Sequence, residues 1–152
     1  MDFSKFDQRG RDEAGVPFPI LHPETGEPVV DPDSGLTCMV LVRGPTAPSV
    51  TKAEAARFRA GVMTAEDAAQ KSLAEIHDYS VEVALPYIAG FENVNRGDRP
   101  ATEADAAWFL SLNFPRIEKV GEEYRIANKT FAKQINDRIA EAREQLGNAP
   151  AP

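Results

Sequence analysis

The sequence predicts an α+β fold, mainly helical, with a small N-terminal antiparallel β-unit followed by about four helices. Three observations carry this. Turn signals and short β-branched runs crowd the residues before 45. From residue 49 onward, capping residues precede apolar side chains spaced by threes and fours. The length of 152 residues suits one hydrophobic core. Residues 1–16 are expected to form a mobile arm. Residues 17–147 then make a single domain, with the β-unit at 17–45 and the helical part at 49–147. Residues 148–152 are expected to be a disordered tail.

In the β-unit, Phe18, Ile20 and Leu21 suit a short strand, and Glu24-Thr25-Gly26 suits a turn. Val29 and Val30 are placed to pair back before a second turn at Asp31-Pro32-Asp33-Ser34-Gly35. Leu36 to Arg43 is the strongest strand signal, rich in β-branched residues and bounded by Gly35 and by Gly44-Pro45. A meander or hairpin follows from this order.

The helical part opens at Thr51-Lys52-Ala53-Glu54, whose spacing fits a capping box, and the helix should stop at Gly61. Thr64 resembles a second N-cap, followed by Glu66 and Asp67 at the positive end of the helix dipole. Ala69, Leu73, Ile76, Ser80, Val83 and Tyr87 continue one face of a long helix, kinked at Pro86 and ended by Gly90. A polar loop at residues 95–100 leads to a short helix capped by Thr102. Pro115 suits the start of a last helix carrying Ile117, Val120, Tyr124, Ala127, Phe131, Ile135, Ile139, Ala142 and Leu146, with Gly121 as a costly interior residue where the helix can break into a short piece and a longer one, and Gly147 as the stop. Trp108, Phe91 and Leu73 are expected in the core.

Residues 64–113 hold nine acidic against three basic side chains and carry most of the net charge of −7. That balance argues against nucleic acid, whose phosphates need clustered Lys and Arg. The N-terminal residues are polar, with no apolar stretch of a secretory leader, and no apolar run approaches the ~20 residues of a membrane span. A cytoplasmic location is expected, with no membrane partner. The single cysteine, Cys38, sits among Leu36, Met39, Val40 and Leu41 and reads as an inert, buried thiol.

Chemistry-bearing patterns are absent from the sequence. Two histidines and one cysteine cannot make a usual zinc site, and no phosphate loop or nucleophile elbow occurs. His77-Asp78 is the nearest approach to a catalytic pair, but adjacent helical residues diverge by about 100°, and a solvated histidine is the commoner outcome. No catalytic residue, cofactor or metal is expected.

Several features together resemble the tail assembly chaperones of long-tailed bacteriophages and related tail-like elements. They are the His22-to-Glu27 turn, the strand Met39-Val40-Leu41-Val42-Arg43-Gly44, and the aromatic segment Tyr87 to Val94 after a long helix. Arg99-Pro100-Ala101-Thr102 before a short helix and Asn128-Lys129-Thr130-Phe131 in an amphipathic helix complete the order. The likeness spans about residues 18–135. It departs at Phe91-Glu92, where the family usually carries Trp-Glu. The resemblance implies a protein that binds the tape measure protein, a long helical chain with apolar stretches, in the cytoplasm of the bacterial host. It also implies self-association into a homo-oligomer and release as the tail tube protein polymerises. The rival expectation is a structural virion part, such as a head–tail connector or tail completion protein. The partner-binding residues expected are the acidic set Glu66, Asp67, Glu75, Asp78 and Glu82, with Phe131 and Ile135 from the last helix.

Overall fold

The computed structural model describes residues 1–147, so the expected tail at 148–152 lies outside the described residues. Helices and strands alternate along the chain. The order is α1 (Gln8–Ala14), β1 (Val16–Pro19), β2 (Met39–Val42), α2 (Pro48–Ala60), α3 (Ala65–Ala69), α4 (Leu73–Ala84), β3 (Ile88–Glu92), β4 (Asn95–Arg96), β5 (Arg99–Pro100), α5 (Ala106–Leu110), β6 (Arg116–Val120), β7 (Glu123–Ala127) and α6 (Phe131–Gly147). This corrects the sequence expectation on two points. Among the described residues, strands are not confined to an N-terminal unit but form three small antiparallel sheets, and helix makes up 46% rather than the bulk.

β2 is the centre of the main sheet, ordered β1-β2-β3. Val40 and Val42 are buried while Met39 and Leu41 are half-buried, as a strand's two-residue period requires. Between β1 and β2 the chain makes the expected meander, through single bridges at Leu21↔Pro28 and Val30↔Thr37. The third strand begins within the expected helix, taking Ile88 to Gly90 from its end. Pro86 lacks the N–H that a continuing helix needs, so α4 ends at Ala84 and a 3-10 turn, Leu85–Tyr87, redirects the chain. Ile88–Glu92 then pairs with β2 in register Val40↔Phe91, with a bulge at Leu41/Val42.

The long helix expected after Thr64 is two helices. Thr64 and Asp67 form a capping box for α3, and Ser72 and Glu75 form a second one that starts α4. A second N-cap competes with helix continuation, because its side chain satisfies the backbone donors of a new first turn. Thr51-x-x-Glu54 is not a cap: α2 begins at Pro48, and the Thr51 hydroxyl donates to Pro48 O inside the helix. Gly61 ends α2 as expected.

Residues 116–127 are a hairpin, not the first half of a last helix. Val120↔Glu123 closes a two-residue loop at Gly121-Glu122, and Gly121 takes φ +65, a value that suits glycine and breaks a helix. Only then does α6 begin. Thr130 Oγ1 accepts from Lys133 N at 3.2 Å and Asn113 Oδ1 accepts from Phe131 N at 3.0 Å, so its first donors are satisfied. Ala132, Ile135 and Ile139 face the core from α6. The amide of Gln134 closes a reciprocal pair with the Leu21 backbone, at 3.0 and 2.9 Å, and locks α6 to the meander.

The core joins β1–β3, α5 and α6 around Ile20, Val42, Tyr87, Ile88, Phe109 and Leu110. Phe91 and Trp108 pack half-buried against it, whereas Leu73 is 36% exposed and lies outside it. Residues 1–16, expected as an arm, contain α1, which is tied to the body. Thr46 N donates to Asp12 Oδ2 at 3.0 Å, Ser49 N donates to Glu13 Oε2 at 3.1 Å, and Arg43 Nε donates to Glu13 O at 3.1 Å. Among the described residues, no helix is long and apolar enough to cross a membrane.

The β4–β5 loop is held by one buried carboxylate. Asp105 accepts from Arg99 Nη1 and Nη2 at 2.8 and 2.7 Å, from Thr102 N at 2.9 Å and from Arg96 Nη1 at 3.1 Å. The Arg99 hydrogen bonds first, then the Thr102 amide, hold its pKa well below the ordinary 3.8. A carboxylate depressed in the folded state contributes stability above its unfolded pKa and loses it as pH falls toward the folded value. Asp105→Asn should therefore melt below the parent at neutral pH, with the gap closing as pH drops below about 4. Thermal melts across that range check this; a gap unchanged down to the acid limit would sink it.

Candidate functional site

A cleft of about 400 Å³ separates α2 from α4 and the turn after it, lined by Ala53, Arg57, Ala60, Tyr79, Val83 and Leu85. Its floor is set by one hydroxyl. Tyr79 Oη accepts from Arg57 Nη1 and from Met63 N, both at 3.2 Å, which ties the end of α2 and the segment after it to the middle of α4. Leu85, just after α4, lines the cleft and stays exposed, and Phe58 on α2 is exposed as well.

Acids edge this cleft. Glu54 and Glu82 line it directly. Glu54 is committed elsewhere, because it accepts from the Tyr87 hydroxyl and from Arg143. Burial, then this bond to Glu54, pushes the Tyr87 phenol up to about 12, so it stays a donor. Glu82 has no ion pair or side-chain hydrogen bond among the described residues. On α4, Glu75 and Glu82 are the i−4 and i+3 neighbours of Tyr79, so the acidic stripe runs beside the cleft wall.

The seven residues expected to bind a partner divide into three groups. Glu66, Asp78 and Glu82 are exposed. Asp67 and Glu75 are exposed but serve as caps, and their hydrogen bonds from the Thr64 and Ser72 backbone lower both carboxyl pKa values. Phe131 and Ile135 are not on the surface with the acids. Phe131 stacks on Phe109 at 4.5 Å, and Ile135 is fully buried. Their helical spacing is real, but it marks a core face. The cleft residues Tyr79, Val83 and Leu85 were missed as a site, because the facing wall comes from α2, which the Tyr79 bonds to Arg57 and Met63 hold opposite them.

His77 is buried, not solvated. Its ring lies 4.3 Å from that of Phe114, and neither ring nitrogen has a hydrogen-bond partner among the described residues. Asp78, the next residue, points to solvent. The two therefore do not act on one substrate. Cys38 is half-buried, donates to Asn93 O at 3.1 Å, and has its thiol pKa raised by burial, which disfavours the reactive thiolate. No family model, no curated protein and no solved structure matches the chain.

Proposed function

We propose that this chain is a phage tail assembly chaperone, working in the cytoplasm of the bacterial host to keep the tape measure protein soluble until tail tube protein polymerises around it. The observation that supports this best is the largely apolar α2–α4 cleft with the unpaired Glu82 at its edge. A long helical client with apolar stripes and basic residues presents the complementary surface. Apolar burial supplies the affinity: roughly 300 Å² per copy contributes about 7 kcal/mol, before association costs of several kcal/mol. Each contact is thus weak alone, as it must be if the tube is to displace it. Glu66, Asp78 and Glu82 steer basic segments and raise the on-rate more than the affinity.

The test is co-expression with the tape measure chain. The parent should keep the client in the soluble fraction, and Val83→Asp in the cleft should return it to the level seen without chaperone. Raised salt should slow association yet leave formed complex largely intact. Complete stripping at moderate salt would make the acids the binding site and overturn the division of labour. Mass spectrometry of purified particles that finds the chain as a stoichiometric component would favour a connector or completion protein instead.

A further inference from the structure

The β6–β7 hairpin stands with its faces reversed relative to a self-sufficient monomer. Its pairs are Arg116↔Ala127, Ile117↔Ile126, Glu118↔Arg125, Lys119↔Tyr124 and Val120↔Glu123. Side chains alternate along each strand, so Ile117, Lys119, Tyr124 and Ile126 share one face, while Arg116, Glu118, Val120, Glu123, Arg125 and Ala127 share the other. The charged face meets the body at its base: Arg116 Nη2 donates to Glu24 Oε1 at 2.6 Å, and Arg116 and Glu118 line a polar cleft with His22. The apolar face looks outward, with Ile117 71%, Tyr124 70% and Ile126 59% exposed. A lone two-stranded ribbon is marginal in water, and a free edge is a template for another strand.

We propose that this hairpin is a dimerisation arm, joining a second copy of the chain edge to edge through β7 about a two-fold axis at Tyr124. The register follows from backbone geometry. Val120 and Glu123 close the two-residue loop as a hydrogen-bonded pair, so Glu123, Arg125 and Ala127 direct their backbone groups to β6. Those of Tyr124 and Ile126 face the open edge, and among the described residues no backbone hydrogen bond joins them to another element. Pairing centred on Tyr124 opposes Tyr124 to its own copy and sets Glu123 against Arg125 of the second copy, twice by symmetry. Centring on Arg125 or Glu123 would oppose like charges across the closely spaced, non-hydrogen-bonded pair. Centring on Ile126 loses both ion pairs. The β6 edge is poorer, since Pro115 has no N–H to give and Arg116 is held by Glu24.

Charge selects the second copy as the occupant. The chain carries −7 overall, so two copies repel across most of their surfaces. Residues 116–127 hold three basic and three acidic side chains, and the proposed register matches them in sign. The product is a four-stranded sheet in which Tyr124 also reaches Ile126 of the second copy on the diagonal. The unpartnered edge with complementary charge is β7. This inference holds whatever the client is.

The full chain is expected to dimerise by sedimentation equilibrium. Ile126→Pro removes an N–H that only the second copy uses, so it should weaken the dimer by about tenfold or more while leaving the circular dichroism spectrum unchanged. In a Cys38→Ser background, Tyr124→Cys places two thiols across the axis with Cα atoms about 5.5 Å apart, within disulfide reach. Mild oxidation should link it rapidly, and Lys119→Cys on the far strand should not link. A parent that stays monomeric at high concentration, an Ile126→Pro chain that associates like the parent, or cross-linking at 119 in preference to 124 would each overturn the proposal. If Ile126→Pro fails to fold, the cysteine pair still decides it.

Discussion

Arg43→Met is expected to lower the free energy of unfolding by about 3–5 kcal/mol, and the melting temperature by roughly 10 °C for a chain of this size. Arg43 follows β2 and is 8% exposed. Its guanidinium donates to three backbone carbonyls: Glu13 O at 3.1 Å, Pro86 O at 3.0 Å and Ile88 O at 3.1 Å. It also donates to Glu103 Oε1 at 2.8 Å, but Glu103 is well exposed and that pair is worth little. The carbonyls decide the magnitude. Methionine fills much of the volume and leaves three acceptors without partners, each costing about 1–3 kcal/mol where water cannot reach. Arg43→Lys is not a rescue, because an ammonium cannot span the same fork of acceptors. Denaturant melts followed by circular dichroism measure this. A methionine variant that unfolds at the parent's midpoint would show that water replaces the guanidinium and would sink the argument.

Arg43 also marks the limit of what the sequence discloses. Features set by a few adjacent residues were legible. Gly61 as a helix stop, Thr64 and Thr102 at N-cap positions, and the β-branched run that contains β2 all formed where local chemistry placed them. Features decided by competition between two local patterns were not. Ile117, Val120 and Tyr124 fit a helix spacing, yet Ile117 and Lys119, or Tyr124 and Ile126, fit a strand equally well. The glycine at φ +65 tipped the balance, because no core contact rewarded the helix there. Ile88–Glu92 went the same way, since β2 offered an unpaired edge once Pro86 had ended α4. Features made by distant partners left no signal. Nothing near Arg43 names Glu13 or Pro86, and nothing near Tyr79 names Arg57. For the site, the acids on α4 were visible as a stripe, but the cleft beside them needed the packing of α2. Ile135 failed differently: an apolar stripe says that a helix buries a face, not whether the face meets its own core or a partner.

Phe109→Ala is expected to be the other severe substitution, costing about 3–5 kcal/mol and more than Trp108→Ala by roughly 2 kcal/mol. Size alone predicts the reverse, since tryptophan is the larger side chain. Environment decides otherwise. Phe109 is 3% exposed and is the middle ring of three. It meets Phe91 of β3 edge-on at 5.0 Å and lies parallel to Phe131 of α6 at 4.5 Å, with 6° between planes. Aromatic pairs of this kind add about 0.5–1.5 kcal/mol each beyond the area they bury. Its loss would open a cavity where the sheet, α5 and α6 meet, and those elements cannot collapse into it together. Trp108 is half-buried, with the Arg96 guanidinium 5.2 Å from its ring, so truncation there mostly uncovers surface that water can reach. Urea unfolding of both variants gives the ordering. A double-mutant cycle of Phe109→Ala with Phe131→Ala should show a coupling of about 0.5–1.5 kcal/mol. If Trp108→Ala proves the more damaging, or if the cycle is additive, the stability of this fold does not centre on the three-ring stack.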